Sequence, residues 1–190
     1  MLESNNNNHR VILDLCGGTG SWSAPYKSNN YDVRVIDPQE WLENNNGTGD
    51  VRLMEYMDEE IYGILCAPPC THFSGGGARW WEEKGEGALL DGLSVVDACL
   101  RIITMHKPKF WCLENPVGRL RKYLGDPSLI FQPHEFGDPW IKKTMLWGNF
   151  NIPKYNNVKP EFSLVSKYKD PRKRSMTPPS FAQAFFESNK

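Results

Sequence analysis

Cys70 stands at the end of the stretch Gly63-Ile64-Leu65-Cys66-Ala67-Pro68-Pro69-Cys70. The apolar run before it has strand length, and two successive prolines fix the backbone and remove two amide donors, so the strand must stop there. A thiol on a stiff turn at the carboxyl end of a sheet strand sits where open α/β sheets carry their chemistry. The same residue also suits a bland role, because free cysteine behaves as a small apolar side chain. A second group of residues belongs to the first apolar run, which leads into Asp14-Leu15-Cys16-Gly17-Gly18-Thr19-Gly20. Glycines there permit positive φ and close approach of a ligand to the backbone. The spacing lacks the third glycine of a dinucleotide fingerprint and the lysine of a phosphate loop, so it suits a nucleoside without a pyrophosphate. Asp37, followed by Pro38, ends the next apolar run and can hold both hydroxyls of a ribose. Asp50, beside Val51, follows a third short segment and can take an adenine amino group. Each acid alone reads as a surface residue; three at successive strand ends read as a site.

The elements that must position these residues alternate. Strands are expected over 11–15, 33–36, 61–66 and 110–113, with a brief one at 49–51 and a late one at 144–147. Leu89, Leu93, Val96, Leu100 and Ile103 form a helical stripe over 88–106, which Pro108 stops. A short helix carrying Leu120 and Leu124 follows, and 178–188 reads as a terminal helix with proline in its first turn. Residues 41–50 read as a loop by composition. This alternation predicts an α/β fold with a mostly parallel sheet and helices on both faces.

Composition narrows the classes. A length of 190 residues suits one domain, with 1–9 a disordered start and 148–177 a short insert. Five cysteines without framework spacing predict free thiols and a cytoplasmic setting, and no second Cys/His pair accompanies Cys66 and Cys70 to make a metal site. Neither a signal peptide nor a membrane-spanning run is read in the sequence. The net charge of −1 argues against a protein that coats nucleic acid. From Lys142 to Arg174, however, nine basic residues face only Glu161 and Asp170, a stretch that either tracks phosphates or is a solvated tail.

The segments DLCGGTGSWS, GDV, APPCTHFS and LENP, in this order between about residues 11 and 147, resemble the successive motifs of the DNA cytosine-5 methyltransferases. The resemblance implies a Rossmann-like class I S-adenosylmethionine-dependent fold, with S-adenosylmethionine as cofactor, S-adenosylhomocysteine as product, no metal, and DNA, duplex or single-stranded, as substrate. It places the cofactor on Asp14, Leu15, Cys16, Gly18, Thr19 and Gly20, with Asp37 and Pro38 at the ribose and Asp50 and Val51 at the adenine. Cys70 matches the nucleophile, Pro69 shapes the base pocket, Ser74 lies near the phosphate, and Glu114 with Asn115 matches the catalytic acidic pair.

The chemistry so implied starts from a poor nucleophile, carbon 5 of cytosine. Adding a thiolate to carbon 6 makes the ring an enamine, and a free thiol with a pKa of about 8.5 needs a helix end or basic neighbour to ionise at neutral pH. Glu114 would donate to ring nitrogen 3, which asks for a carboxyl kept protonated; its place after Phe110, Trp111, Cys112 and Leu113 is apolar enough to do so. A base inside a duplex must be flipped out at a cost of a few kcal/mol. Residues 71–87, with glycines around Arg79, Trp80 and Trp81, are expected to form a mobile lid on DNA.

Several positions depart from the pattern. Cys16 replaces the aromatic after Asp-Leu, which moves cofactor stacking to Trp22; Thr71 and Pro116 replace the Gln and Val that follow the two catalytic motifs. The Gln-x-Arg-x-Arg segment becomes Trp140-Ile141-Lys142-Lys143-Thr144, in which Lys142 keeps a charge for the base or phosphate and Thr144 does not. Only about thirty residues separate Trp147 from the terminal helix, too few for a target-recognition domain, so loose sequence specificity and a phage-type or bacterial source are expected. Two other readings stay open: a thymidylate synthase-like enzyme acting on free nucleotides through the Pro-Pro-Cys-Thr-His stretch, and an inactive nucleic-acid-binding accessory protein. A protein partner is not indicated, and an RNA substrate is open.

Overall fold

A computed structural model describes residue 7, residues 9–38 and residues 49–190. Most of the expected disordered start, and residues 41–48 of the expected loop, lie outside the described residues. Asn7 is described, and its amide donates to the Asn29 carbonyl at 3.1 Å.

A six-stranded sheet runs in the order β2-β1-β3-β4-β7-β5. Its strands are β1 (Val11–Leu15), β2 (Asp32–Ile36), β3 (Ile61–Cys66), β4 (Phe110–Pro116), β5 (Leu129–Phe131) and β7 (Thr144–Asn149). β2, β1, β3 and β4 pair in parallel, whereas β7 runs antiparallel to both β4 and β5. The sheet is therefore mixed and mostly parallel, as expected. Because the chain leaves β1 for one side and returns on the other at β3, the carboxyl ends of these two strands flank the switch point where such sheets bind ligands.

Alternation along the strands sorts the core into two layers. Leu13, Leu15, Ile64, Cys66 and Leu113 pack on Val96, Cys99, Ile102 and Ile103 of α2 (Trp81–His106). Ile12, Leu65, Cys112 and Leu146 meet the opposite layer of Trp22, Tyr26, Phe181, Phe185 and Phe186, supplied by α1 (Ala24–Ser28), the turn before it and α6 (Pro179–Ser188). The stripe over 88–106 thus faces the sheet, and Lys107, left-handed at φ 47°, ends the helix just before Pro108. α3 (Arg121–Leu124) and the terminal helix form where expected.

Two elements differ from expectation. Residues 49–51 do not form a strand: Asp50 caps a 3-10 turn over Val51–Leu53, its carboxylate accepting from the Arg52 amide at 3.0 Å. An Asp side chain that bonds the backbone two residues on favours a turn over a sheet ladder. Residues 71–87 are not an open loop but 3-10 turns over Cys70–His72 and Gly75–Trp80 leading into α2, interrupted at Gly85 (φ 70°). The insert contains β8 (Phe162–Ser163), paired in parallel with β6 (Trp140–Ile141), then α4 (Leu164–Lys167) and α5 (Pro171–Ser175). Asp138, buried, accepts from the Ser180 amide at 3.0 Å and the Phe181 amide at 3.3 Å, which joins this region to the first turn of α6. Among the described residues no helix is long and apolar enough to cross a membrane, and no group of three metal-ligating side chains occurs.

Candidate active site

Three loops meet at the carboxyl edge of the parallel strands. The first follows β1. Gly18 and Gly20 have φ of 54° and 69°, and Cys16 is also left-handed at 56°. Gly17 lies directly over Asp14, so that a Cβ there would stand 2.4 Å from the Asp14 Cγ, while a Cβ on Gly18 would meet nothing within 4 Å. The turn is thus filled from beneath and open above. Asp14 is wholly buried under it, accepting from Ser23 Oγ at 2.5 Å, and burial raises its carboxyl to about 7. It supports the turn rather than facing a ligand, a correction to its expected cofactor contact. Asp37 is also buried and accepts the Gly18 amide at 2.9 Å, at the mouth of the turn as expected. Thr19 and Pro38 are exposed, and Leu15 lies in the core.

Two cofactor expectations fail on geometry. Trp22 is 2% exposed and packs edge-on against Phe185 at 5.5 Å between ring centroids, so it belongs to the core and presents no face for stacking. Asp50 binds the guanidinium of Arg52, which also reaches Asp91 at 2.9 Å, and this ion pairing holds the Asp50 carboxyl below its ordinary value. Its acceptor capacity is engaged within its own turn. Val51, next to it, is buried.

The second loop carries Cys70. The amides of Phe73 and Ser74 both donate to the Cys70 carbonyl at 2.9 Å, closing the tight turn that the prolines begin. Pro69 is exposed and Cys70 half-buried. The third loop ends β4. Asn115 Nδ2 donates to the Pro68 carbonyl at 2.9 Å, so Asn115 fastens the proline turn to β4. Asn115 is therefore a positioning residue here rather than half of a catalytic pair. Glu114 is paired with Lys142, whose Nζ lies 3.8 Å from Oε1, and both side chains are nearly enclosed, at 12% and 10% exposure. Burial pushes the Glu114 carboxyl up, with Lys142 opposing. Burial also raises the Cys70 thiol, Glu114 adds to the rise, and Lys142 and Arg174 work against it. The basic neighbours that the thiol was expected to need are thus present, but burial and Glu114 outweigh them.

Thr144, matched by the resemblance to a substrate-binding position, is buried in β7, its hydroxyl donating to the Lys142 carbonyl at 2.8 Å, so that it fixes the turn that presents Lys142. Ser74 bridges to Gly118 beside the Cys70 turn. Arg79 is exposed, its guanidinium over Trp80 at 5.0 Å, outside these contacts. Sequence reasoning missed Arg174, which reaches the neighbourhood of Cys70 from α5. It also missed Ser21, whose hydroxyl donates to the Thr177 carbonyl at 2.8 Å and ties the glycine turn to the start of α6. No local pattern marks either one, since both depend on the chain's return over more than one hundred residues.

A thiol, a carboxyl with a cation beside it, and a glycine turn open above Gly18 thus lie on loops at the carboxyl edge of the sheet. The fold is that of the methyltransferases. The chain superposes on a candidate DNA modification methyltransferase encoded within an E. coli prophage with a TM-score of 0.54 and 18% identity, covering 80% of this chain and 53% of that one. It superposes on a triple mutant of Spodoptera frugiperda DNMT2 with a TM-score of 0.52 and 14% identity, covering 80% and 55%. The chain thus spans about half the length of these solved structures. Comparison of the sequence with protein-family models and with curated proteins gives no match.

Proposed function

We propose that this protein is an S-adenosylmethionine-dependent DNA cytosine-5 methyltransferase with loose sequence specificity. The observation that carries the reading is that Glu114 and Lys142, with Nζ 3.8 Å from Oε1, both act on the Cys70 thiol. Similarity of fold to the prophage methyltransferase supports DNA as the substrate class.

The residues of the first turn fit a nucleoside cofactor in part. The open space above Gly18 and the Asp37 carboxylate at the same turn suit a ribose and its substituent, whereas the adenine side, where Asp50 is engaged by Arg52, must rearrange to contribute. Gly18, Gly20 and Asp37 would hold S-adenosylmethionine, which supplies an electrophilic methyl group. Cys70 adds through Sγ to carbon 6 of the cytosine as its thiol proton passes to solvent. Glu114, whose carboxyl burial raises, donates a proton to ring nitrogen 3 as that atom gains charge, and Lys142 stabilises the carboxylate left behind. Asn115 holds the proline turn so that the sulfur stays in reach. Carbon 5, made nucleophilic by the addition, would take the methyl group; loss of its proton to solvent and return of the nitrogen 3 proton to Glu114 would then let the sulfur leave.

Incubation with S-adenosylmethionine and either cytosine-containing DNA or free deoxycytidylate, followed by nucleoside mass spectrometry, tests the reading. We expect 5-methylcytosine in the DNA arm only, and none with Cys70→Ala. Methylation of the free nucleotide, or an unchanged yield with Cys70→Ala, would refute it.

A further inference from the structure

Arg119 follows Glu114 by five residues and is held against the turn of the nucleophile. Its amide donates to the Phe73 carbonyl at 2.9 Å and its Nε to the His72 carbonyl at 2.6 Å. Its guanidinium lies over the Trp81 ring, 4.7 Å from the centroid. Yet its Nη2 is buried without a hydrogen-bond partner among the described residues, and so are Trp81 Nε1 and His72 Nδ1. No carboxylate pairs with the Arg119 guanidinium among the described residues. A guanidinium fixed on one edge, with an unmet donor on the other and an aromatic plane above it, has the chemistry of an anion site awaiting its anion. The cover over this donor is the 72–81 stretch, which contains Gly75, Gly76 and Gly77 and is followed by the break at Gly85, so the backbone has joints on both sides of Trp81.

We propose that Arg119 binds a phosphodiester of the DNA strand that carries the target cytosine, taking it as the 75–81 segment shifts off Nη2. This rests on the proposed DNA substrate and adds to it a named phosphate anchor. A base seated against Cys70 brings its own sugar-phosphate over residues 72–74 and 117–119, the rim on which Arg119 sits. Arg119 contributes register on the strand rather than base choice, as phosphate contacts do.

The test measures binding of a short labelled single-stranded DNA containing one cytosine across a salt series. A parallel set of strands carries one neutral methylphosphonate at successive positions around that cytosine. For the wild type, neutralising one position should lower the slope of log K against log[salt] by about 0.7, the value for one phosphate of a single strand. Arg119→Gln should show that lower slope already and be indifferent to the same methylphosphonate. Arg119→Lys, which keeps the charge, should retain the wild-type slope and its response to the methylphosphonate, with affinity reduced about tenfold through loss of the guanidinium geometry, and Arg119→Met, which removes the charge but keeps much of the apolar stem, substitutes for Arg119→Gln in the pairing test if the latter does not fold. The inference is overturned if no methylphosphonate lowers the wild-type slope, or if the variant without the charge responds to every position as the wild type does. Methylation that persists alongside such a result would leave the enzymatic reading standing and remove only the anchor. Absence of methylation with an intact slope effect would do the reverse.

Discussion

Replacing Lys142 by Met should destabilise the protein in a pH-dependent way, because Lys142 is the cation paired with a carboxylate that is otherwise almost enclosed. At 3.8 Å and with both side chains about nine-tenths covered, the pair interacts by roughly 4 kcal/mol at an effective dielectric of 20. Removing one member of such a pair leaves a buried charge and typically costs about 3–5 kcal/mol, whereas replacing both is close to neutral. Glu114 has an escape, since burial already raises its carboxyl and loss of Lys142 raises it further. A carboxyl raised in the folded state takes up a proton that the unfolded chain has released, so stability falls as pH climbs from the ordinary carboxylate value through the folded one. The cost of Lys142→Met should therefore be large at pH 8 and small at pH 5. Urea denaturation of wild type, Lys142→Met, Glu114→Gln and the double variant at both pH values gives the coupling directly. We expect about 2–4 kcal/mol at pH 8, shrinking several-fold at pH 5. A coupling under about 0.5 kcal/mol at both pH values, which is what an exposed pair gives, would refute the charge pairing of Glu114 with Lys142.

Two further perturbations probe the turns around the crevice. Asp14, raised by burial to about 7, lowers stability as pH rises from about 4 to about 7 and not beyond. At 1.36 kcal/mol per pH unit this approaches roughly 4 kcal/mol, and Asp14→Asn should flatten the profile of melting temperature across that window; an unchanged profile would contradict the assignment. Gly118 has no room for a side chain, since a Cβ would stand 1.9 Å from the Phe73 carbonyl oxygen. Gly118→Ala should cost about 1–3 kcal/mol in denaturation and about 10²-fold in kcat, because Phe73 belongs to the turn that holds Cys70. Wild-type turnover in the folded variant would show that the turn need not be so closely held.

How far the sequence revealed this arrangement follows from which interactions are local. β1 and β3, the stop at Pro68-Pro69 and the helical stripe on α2 are written in periodicity and backbone chemistry, and they place Cys70 and the glycine turn at one edge without any long-range information. Where the sequence misled, a side chain had a nearer partner than the ligand imagined for it. Trp22 lies one turn from the glycines, but the aromatic layer of α6 takes it. Asp50 precedes a valine as if at a strand end, but Arg52, two residues on, binds it. Asp14 takes the Ser23 hydroxyl on one carboxylate oxygen beneath the turn. Lys142 shows the opposite case. Its segment departs from the arginine pattern, yet the antiparallel register that sets Pro116 against Thr144 brings Lys142 back to Glu114 from the far strand. Lysine is a point charge on a flexible stem rather than a rigid fork, so it can neutralise the carboxylate left by proton donation but cannot grip carboxylate and base together. Under the proposed function, Lys142 and the Arg174 of α5, both of which act on the Cys70 thiol, would divide between two elements what one strand of paired arginines would otherwise supply.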